Sequence, residues 1–135
     1  MEFSCKLFLE DEGRFVFGPG RANLLRSIER LGSLHKAAQH LGMSYRRAWG
    51  RIKNLEQALD VELLRNEPGM GNAKGLTDDA RELLAWYTEY ESRIAAVLEA
   101  AEASCPAFLR ARCPVPDGES GAKPGRKPGG GPDPA

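Results

Sequence analysis

The sequence contains little cysteine, no long apolar run and no excess charge of either sign. Its three cysteines, Cys5, Cys105 and Cys113, are too few and too scattered in 135 residues for a disulfide framework or a zinc site with four ligands. No apolar run approaches the roughly 18–20 residues of a membrane span, and the first residues do not resemble a secretory signal. Lysine plus arginine and aspartate plus glutamate balance at 19 each. The composition therefore predicts a small, soluble, cytoplasmic protein and excludes membrane and disulfide-scaffold classes.

The sequence also lacks the residue arrangements that carry catalysis or hold metals. It contains no Ser-His-Asp set, no metal-ligand spacing and no phosphate-binding loop. The two histidines, His35 and His40, would project about 140° apart on a helix, which is too far for a shared metal ion. We therefore expect a protein that is not an enzyme and that carries neither a metal nor another cofactor.

The balanced charge is an average over unlike segments. Residues 14–75 hold eleven basic residues against five acidic ones, whereas residues 76–105 hold two basic residues against seven acidic ones. A basic middle segment beside an acidic flank is a marked asymmetry of charge that can indicate a functional surface. The alternative is a chance segregation of charge on a solvated surface.

The last part of the chain has the composition of a disordered tail. Proline and glycine, six of each, occupy twelve of the 22 positions from 114 to 135, with almost no large apolar side chain. Such a segment cannot bury enough apolar surface to offset its loss of conformational entropy. We therefore predict a folded domain over residues 1–105 and a disordered tail over residues 106–135.

The hydrophobic pattern predicts a mainly helical domain with small β elements. Alternating apolar residues from Phe3 to Leu9, a turn at 11–13 and the return at 15–17 indicate a β-hairpin, with Cys5 as a small core residue. Ser33, Ser44 and Thr77 stand where the capping residues of helices are expected. The pattern predicts helices over 21–31, 34–41, 45–59 and 77–104, and strands around 63–66 and 74–77. This order indicates a winged helix-turn-helix with a long C-terminal helix.

The helix over 45–59 has one apolar and one basic face. At about 100° per residue, its apolar residues fall within about 60° of one another; they are Ala48, Ile52, Leu55 and Leu59. The opposite side carries Arg46, Gly50, Lys53 and Gln57, with Arg47 and Trp49 on the flanks. Arginine and lysine bind guanine edges or phosphate, and a glycine permits close approach of the helix to DNA. The alternative is an ordinary solvated face, and Tyr45 and Trp49 either stack on DNA sugars or pack on the preceding helix.

A segment of this region resembles a known family. Gly32-Ser33, Ala37-Ala38 and the string from Leu41 to Trp49, Leu-Gly-Met-Ser-Tyr-Arg-Arg-Ala-Trp, resemble the N-terminal winged helix-turn-helix of ModE-type molybdate-responsive regulators. A looser similarity to LysR-type regulators runs through Leu55-Glu56 and Leu76-Thr77. The resemblance covers about residues 15–90.

The resemblance implies a transcriptional regulator that binds a palindromic DNA duplex as a homodimer, with the 45–59 helix in the major groove and the wing near the backbone. The DNA-binding candidates are then Ser44, Tyr45, Arg46, Arg47, Trp49, Gly50, Lys53, Gln57, Asn72 and Lys74. Two other classes stay open, a winged-helix adaptor between proteins and a nucleoid-type protein that binds DNA without sequence preference. Full-length family members carry C-terminal oxyanion-binding domains, and only the short tail follows here. We therefore expect no direct response to molybdate, and regulation through expression level or a separate partner protein.

The long helix is the candidate dimerisation element. At 1.5 Å per residue, residues 77–104 would extend about 40 Å, longer than a domain of this size needs. Its apolar positions exceed what the small core can cover, and its acidic excess would turn it away from DNA. The predicted dimer residues are Leu83, Leu84, Tyr87, Ile94, Val97, Leu98 and Ala101. The alternative is that the half after Glu91 frays and leads into the tail.

Overall fold

The computed structural model describes residues 2–66, 74–110 and 112. In chain order the elements are β1 (Leu9–Asp11), β2 (Arg14–Phe17), α1 (Pro19–Leu31), α2 (Leu34–His40), α3 (Tyr45–Leu59), β3 (Leu64–Asn66), β4 (Lys74–Leu76), α4 (Asp78–Ser104) and α5 (Ala107–Arg110). Two antiparallel pairs of strands, β1–β2 and β3–β4, form separate small sheets. The predicted architecture, a mainly helical winged helix-turn-helix with small β elements, is confirmed.

The helix bounds follow the capping residues closely. α3 and α4 occupy the predicted ranges, with Ser44 and Thr77 as their capping residues. α1 begins two residues earlier than predicted, because Pro19 fits the first turn of a helix, where no amide donor is needed. α2 ends at His40, one residue early.

The predicted N-terminal hairpin is only partly correct. β1 comprises three residues, and residues 2–8 form no strand. The reason is that β2 ends at Phe17, which pairs with Leu9, and α1 begins at Pro19, so no strand remains opposite the earlier residues. Cys5 is exposed, and its predicted place in the core is therefore wrong.

The core surrounds α1 and joins every larger element. Its largest fully buried side chains are Phe17, Leu24, Leu25, Ile28, Leu34, Ile52, Leu55, Leu63, Leu76 and Tyr87.

Tyr87 of α4 meets Phe17 of β2 edge to face, with the ring centroids 4.9 Å apart. The Tyr87 hydroxyl donates a hydrogen bond of 2.7 Å to the carbonyl of Leu7. Burial and the carboxylate of Glu91 raise the pKa of this hydroxyl to about 12, although Arg26 acts in the opposite direction. Tyr87 thus keeps its proton and fastens residues 2–8 to α4.

Two groups of polar contacts hold α4 against α1. Arg26 donates to Thr88 at 3.0 Å and forms an ion pair with Glu91. One turn from the start of α4, Arg81 Nε lies 3.1 Å from both carboxylate oxygens of Glu29. Because these side chains are partly exposed, each pair contributes at most about 1 kcal/mol to stability. Their main effect is to fix the direction in which α4 leaves the domain.

The antiparallel pair β3–β4 forms the base of the wing, and Thr77 joins this base to α4. Its hydroxyl accepts the amide of Ala80 at 3.2 Å and donates to the carbonyl of Glu62 at 2.6 Å, while its own amide donates to the carbonyl of Leu63. One side chain therefore caps α4 and also anchors the segment that leads into β3.

The end of α4 continues into a short additional helix. α5 lies inside the segment 106–135 that the composition predicts as tail, and Arg110 donates to the carbonyls of Ala103 and Cys105. Residues 113–135 lie outside the described part of the chain, so the domain boundary and the disordered tail stay predictions. Among the helices of the described residues, none is both long and apolar enough to cross a membrane.

We expect Tyr87→Phe to lower the free energy of unfolding by about 1–2 kcal/mol, because it leaves the Leu7 carbonyl without its donor and keeps the ring packing. Chemical denaturation of the full chain measures this change. Tyr90→Phe, at an exposed ring of the same helix, is the control and should change the free energy by less than about 0.5 kcal/mol. An equal loss in both variants would contradict the role of the hydroxyl.

Candidate nucleic-acid interface

The turn between α2 and α3 is tight and sets the angle between these helices. Gly42 has φ of +68°, in the left-handed region that favours glycine, and the amide of Met43 donates to the carbonyl of Ala38 at 3.0 Å. The hydroxyl of Ser44 then accepts the amide of Arg47 at 3.1 Å, which caps α3. The predicted DNA-binding residue Ser44 is thus placed at the exposed start of α3, where its oxygen is used for capping.

The two faces of α3 lie as the sequence predicts. Ala48, Ile52 and Leu55 are at most 1% exposed. The side away from the core exposes the charged and amide side chains predicted for DNA binding, namely Arg46, Arg47, Lys53 and Gln57. These three buried residues form the apolar seam of α3. Because a helix that buries one face exposes the opposite face to solvent, the basic surface is a direct consequence of burying this seam.

Aromatic rings form a row along one edge of this surface. His35 of α2 lies 6.0 Å from Tyr45, measured between ring centroids, and Tyr45 stacks 6.3 Å from Trp49. Trp49 is half-buried and packs against the core, whereas Tyr45 is 43% exposed. Trp49 therefore packs between the core and the exposed surface of α3. Of these two rings, Tyr45 is the one that a ligand can reach.

Lys53 is held in place at the end of this row. Its Nζ lies 4.4 Å from the centroid of the Trp49 ring and 2.8 Å from Oε1 of Glu56. The other oxygen of Glu56 accepts the amide of Leu63 at 2.7 Å. Burial raises the pKa of Glu56, but the hydrogen bonds from Lys53 and Leu63 and the charge of Lys53 outweigh it, so this pKa lies below its usual value. Glu56 is therefore a carboxylate at neutral pH. In the sequence, Glu56 stands out only as part of the family resemblance, and its pairing with Lys53 was not predicted.

Gly50 is not required by the fold. It lies within α3, and a Cβ atom added to it would meet no other atom within 4 Å. A glycine inside a helix costs about 1 kcal/mol relative to alanine. The space in front of Gly50 therefore marks a place where a ligand can approach the helix backbone closely.

The wing residues are only partly described. Lys74 pairs with Asn66 across β3 and β4, and its Nζ donates to the Asn66 side chain at 2.6 Å. The structure thus places Lys74 at the base of the wing. The other predicted wing residue, Asn72, lies outside the described residues.

The predicted dimer face needs one correction. Tyr87 is 1% exposed in the core and cannot contribute to a dimer surface. Its neighbours Leu83 and Leu84 are half-buried and pack against that core. Further along α4, Ile94, Leu98 and Ala101 are half-buried and Val97 is 66% exposed.

Two exposed aromatic residues of α4 were missed by the sequence analysis. Trp86 and Tyr90 are 43% and 38% exposed, and their ring centroids lie 5.5 Å apart. Their spacing of four residues was the available signal, but they stand beside the apolar face that contains Tyr87 and were not counted with it.

Over 2–66 and 74–110, no three histidine, cysteine, aspartate or glutamate side chains lie close enough together to hold a metal ion.

Comparison with known proteins agrees with this geometry. Residues 21–81 match the model of bacterial regulatory helix-turn-helix proteins of the lysR family. The chain is 34% identical over 90 residues to the molybdenum-pterin-binding protein MopB of Rhodobacter capsulatus, an alignment that covers 64% of this chain and 33% of that protein. It is 30% identical over 98 residues to the molybdenum transport protein ModE of Azotobacter vinelandii, covering 68% and 36%. The chain thus spans about a third of the length of these relatives.

A solved structure shares the fold. The DNA-binding domain of CbnR, determined in complex with DNA, matches with a TM-score of 0.52 and 17% identity, over 64% of this chain and 97% of that chain. The family match falls on the part of the chain that contains α1 to α3, the wing and the start of α4. Residues 21–81 therefore match the helix-turn-helix domain of regulatory proteins of the bacterial lysR family, and the chain is similar to part of the ModE and MopB proteins.

Proposed function

We propose that this chain is a transcriptional regulator that binds a specific duplex DNA sequence through α3. The observation that carries the proposal is the exposed basic face of α3, which stands opposite a fully buried apolar seam. The proposal is supported by the LysR-family match and by the CbnR domain, which was solved with DNA. The family is one of regulators and not of enzymes, so we propose no catalytic activity, and a regulator of bacterial DNA would act in the cytoplasm.

The residues at the start of α3 would read the major groove. Arg46 and Arg47 follow the cap directly, and arginine can bind the O6 and N7 atoms of guanine with two hydrogen bonds. Tyr45 and Ser44 lie beside them, within reach of the backbone. Gln57, three turns further along, would meet phosphate or an adenine edge. Contacts to bases would specify the sequence, and contacts to phosphates would position the helix.

Arg46→Ala should weaken binding to the preferred duplex by about 1–3 kcal/mol if the side chain reads guanine. If the side chain binds the DNA backbone instead, the slope of log affinity against log salt should decrease in magnitude by about one. Fluorescence anisotropy between about 50 and 200 mM salt measures both. Arg14→Ala removes the same charge from the exposed start of β2 and should leave both unchanged. Equal effects of the two variants would exclude α3 as the binding face.

The preferred duplex is obtained by selection from random sequences. A palindromic consensus is expected for a dimer that uses two copies of α3 about 34–36 Å apart. Binding without any enriched sequence would indicate a nucleoid-type protein instead. Absence of duplex binding at low salt would indicate an adaptor between proteins.

Gly50 offers a test in which stability and binding change in opposite directions. Gly50→Ala should raise the free energy of unfolding by up to about 1 kcal/mol, because the space is open and alanine favours the helix. Gly50→Gln should also fold, since glutamine is a good helix former, but it should weaken binding to the selected duplex at least about tenfold by blocking the close approach. Asn54→Gln, an exposed position of the same helix, is the control. Unchanged binding by Gly50→Gln would contradict close approach at this point.

We further propose that the chain binds DNA as a homodimer formed through the second half of α4. The helix has 27 residues, and beyond its contacts with α1 it still carries apolar side chains, of which Val97 is the most exposed. Trp86 and Tyr90 extend this apolar surface towards the domain. The acidic character of α4 supports the same arrangement, because it would keep this helix away from DNA while α3 faces it.

Val97→Glu should raise the dimer dissociation constant by at least about tenfold, because it places a charge in an apolar interface. Sedimentation equilibrium of the full chain at tens of micromolar measures this. Ser92→Glu introduces the same charge at an exposed position about 140° away around α4 and should leave the dimer intact. A wild-type chain that sediments as a monomer would refute the proposed dimer.

A further inference from the structure

Lys53 has two partners on its own helix. Its Nζ is shared between the carboxylate of Glu56 at 2.8 Å and the face of the Trp49 ring at 4.4 Å. The Glu56 side chain is only 11% exposed, against 47% for Lys53. The carboxylate is also fixed from behind, since its second oxygen accepts the amide of Leu63. Glu56 therefore cannot follow Lys53 if that side chain swings towards solvent.

This arrangement bears on sequence-independent affinity. A lysine that neutralises a phosphate releases counterions, and each such contact adds affinity on every DNA sequence alike. A lysine that is already paired with a carboxylate gains less from a phosphate, because it must give up the first partner. Pairing at this position thus weakens attraction to DNA in general and leaves contacts to base edges unaffected.

The surroundings of the pair work in the same direction. A groove at the end of α3 is lined by Lys53, Glu56, Gln57, Asp60 and Glu62, among others. Among the described residues that line this groove, Lys53 is the one base and three are acidic. The basic surface of α3 therefore ends in a segment whose charge opposes close contact with the DNA backbone.

We infer that Glu56 determines specificity in the proposed DNA-binding face by withholding Lys53 from phosphate. The inference rests on the proposed function and replaces the direct DNA contact that the sequence predicts for Lys53. Its consequence is that α3 relies on residues near its start, such as Arg46, and that binding to unrelated sequences is kept weak. Glu56 acts through Lys53 and does not itself touch DNA.

The test compares salt dependence on a random-sequence duplex, with anisotropy as the readout. Glu56→Gln keeps an oxygen for the Leu63 amide and removes the charge that holds Lys53. The slope of log affinity against log salt should steepen by about 0.9 per protomer, so that about threefold more affinity is lost between 50 and 200 mM salt. The ratio of affinities for the selected and random duplexes should fall. Glu62→Gln, an exposed acid in the same groove, removes the same charge and should leave the slope unchanged.

Lys53→Gln provides the second measurement. Alone, it should leave the slope of the wild-type chain unchanged, because the lysine is withheld. Combined with Glu56→Gln, it should restore the wild-type slope. A lower slope for Lys53→Gln alone would overturn the inference, and this variant keeps it testable if Glu56→Gln fails to fold.

Two further outcomes would also overturn it. A Glu56→Gln slope equal to that of the wild type would show that the pair does not control phosphate binding. A steeper slope that persists without Lys53 would show that the carboxylate only repels DNA in general. A wild-type chain that binds no duplex at low salt would refute the proposed function itself and is recognised before any variant is measured.

Discussion

Burial of the apolar seam of α3 is the constraint on which the functional surface depends. Ala48, Ile52 and Leu55 are sealed in the core, and fully burying side chains such as Ile52 and Leu55 is worth about 1.5–3 kcal/mol each. A rotation of α3 that brought its arginines inward would forfeit this energy and bury unpaired charge. The outward direction of Arg46 and the open space beside Gly50 follow from packing on the opposite side of the helix. The protein therefore does not need a separate interaction to present its basic face.

The basic and acidic segments of the sequence form different parts of the structure. The basic segment contributes the exposed side of α3, while the acidic segment forms α4, which is tied to α1 through Arg26 and Arg81. Arg26 belongs to the basic segment and pairs with Glu91 of the acidic segment. Arg81 belongs to the acidic segment and pairs with Glu29 of the basic segment. The few charges exchanged between the segments thus hold the two helices together, and the remaining charges leave the exposed side of α3 basic and α4 mainly acidic.

Local signals predicted the helices well, and tertiary contacts explain what they missed. Ser44 and Thr77 mark the starts of α3 and α4, because a cap is a short-range interaction that the sequence states directly. The alternation before Leu9 predicted a strand, but a strand needs a partner, and β2 had already ended. Likewise, the helical periodicity of α4 identifies an apolar face, yet it cannot say that Tyr87 meets Phe17 in the core. The pairing of Lys53 needs a carboxylate fixed by a loop, and such a loop is invisible to a pattern within one helix.

The double role of Thr77 makes the start of α4 a stiff joint. The same hydroxyl donates to the carbonyl of Glu62 and accepts the amide of Ala80 in the first turn of α4. The wing base and the start of α4 are therefore coupled. Because α4 is also held at Tyr87 and Glu91, only residues 92–104 extend beyond these contacts, for about 20 Å at 1.5 Å per residue. In the proposed dimer, a tilt of about 5° of this part would displace the end of the helix by about 2 Å. The contacts that hold α4 to the domain would thereby influence the distance between the two copies of α3.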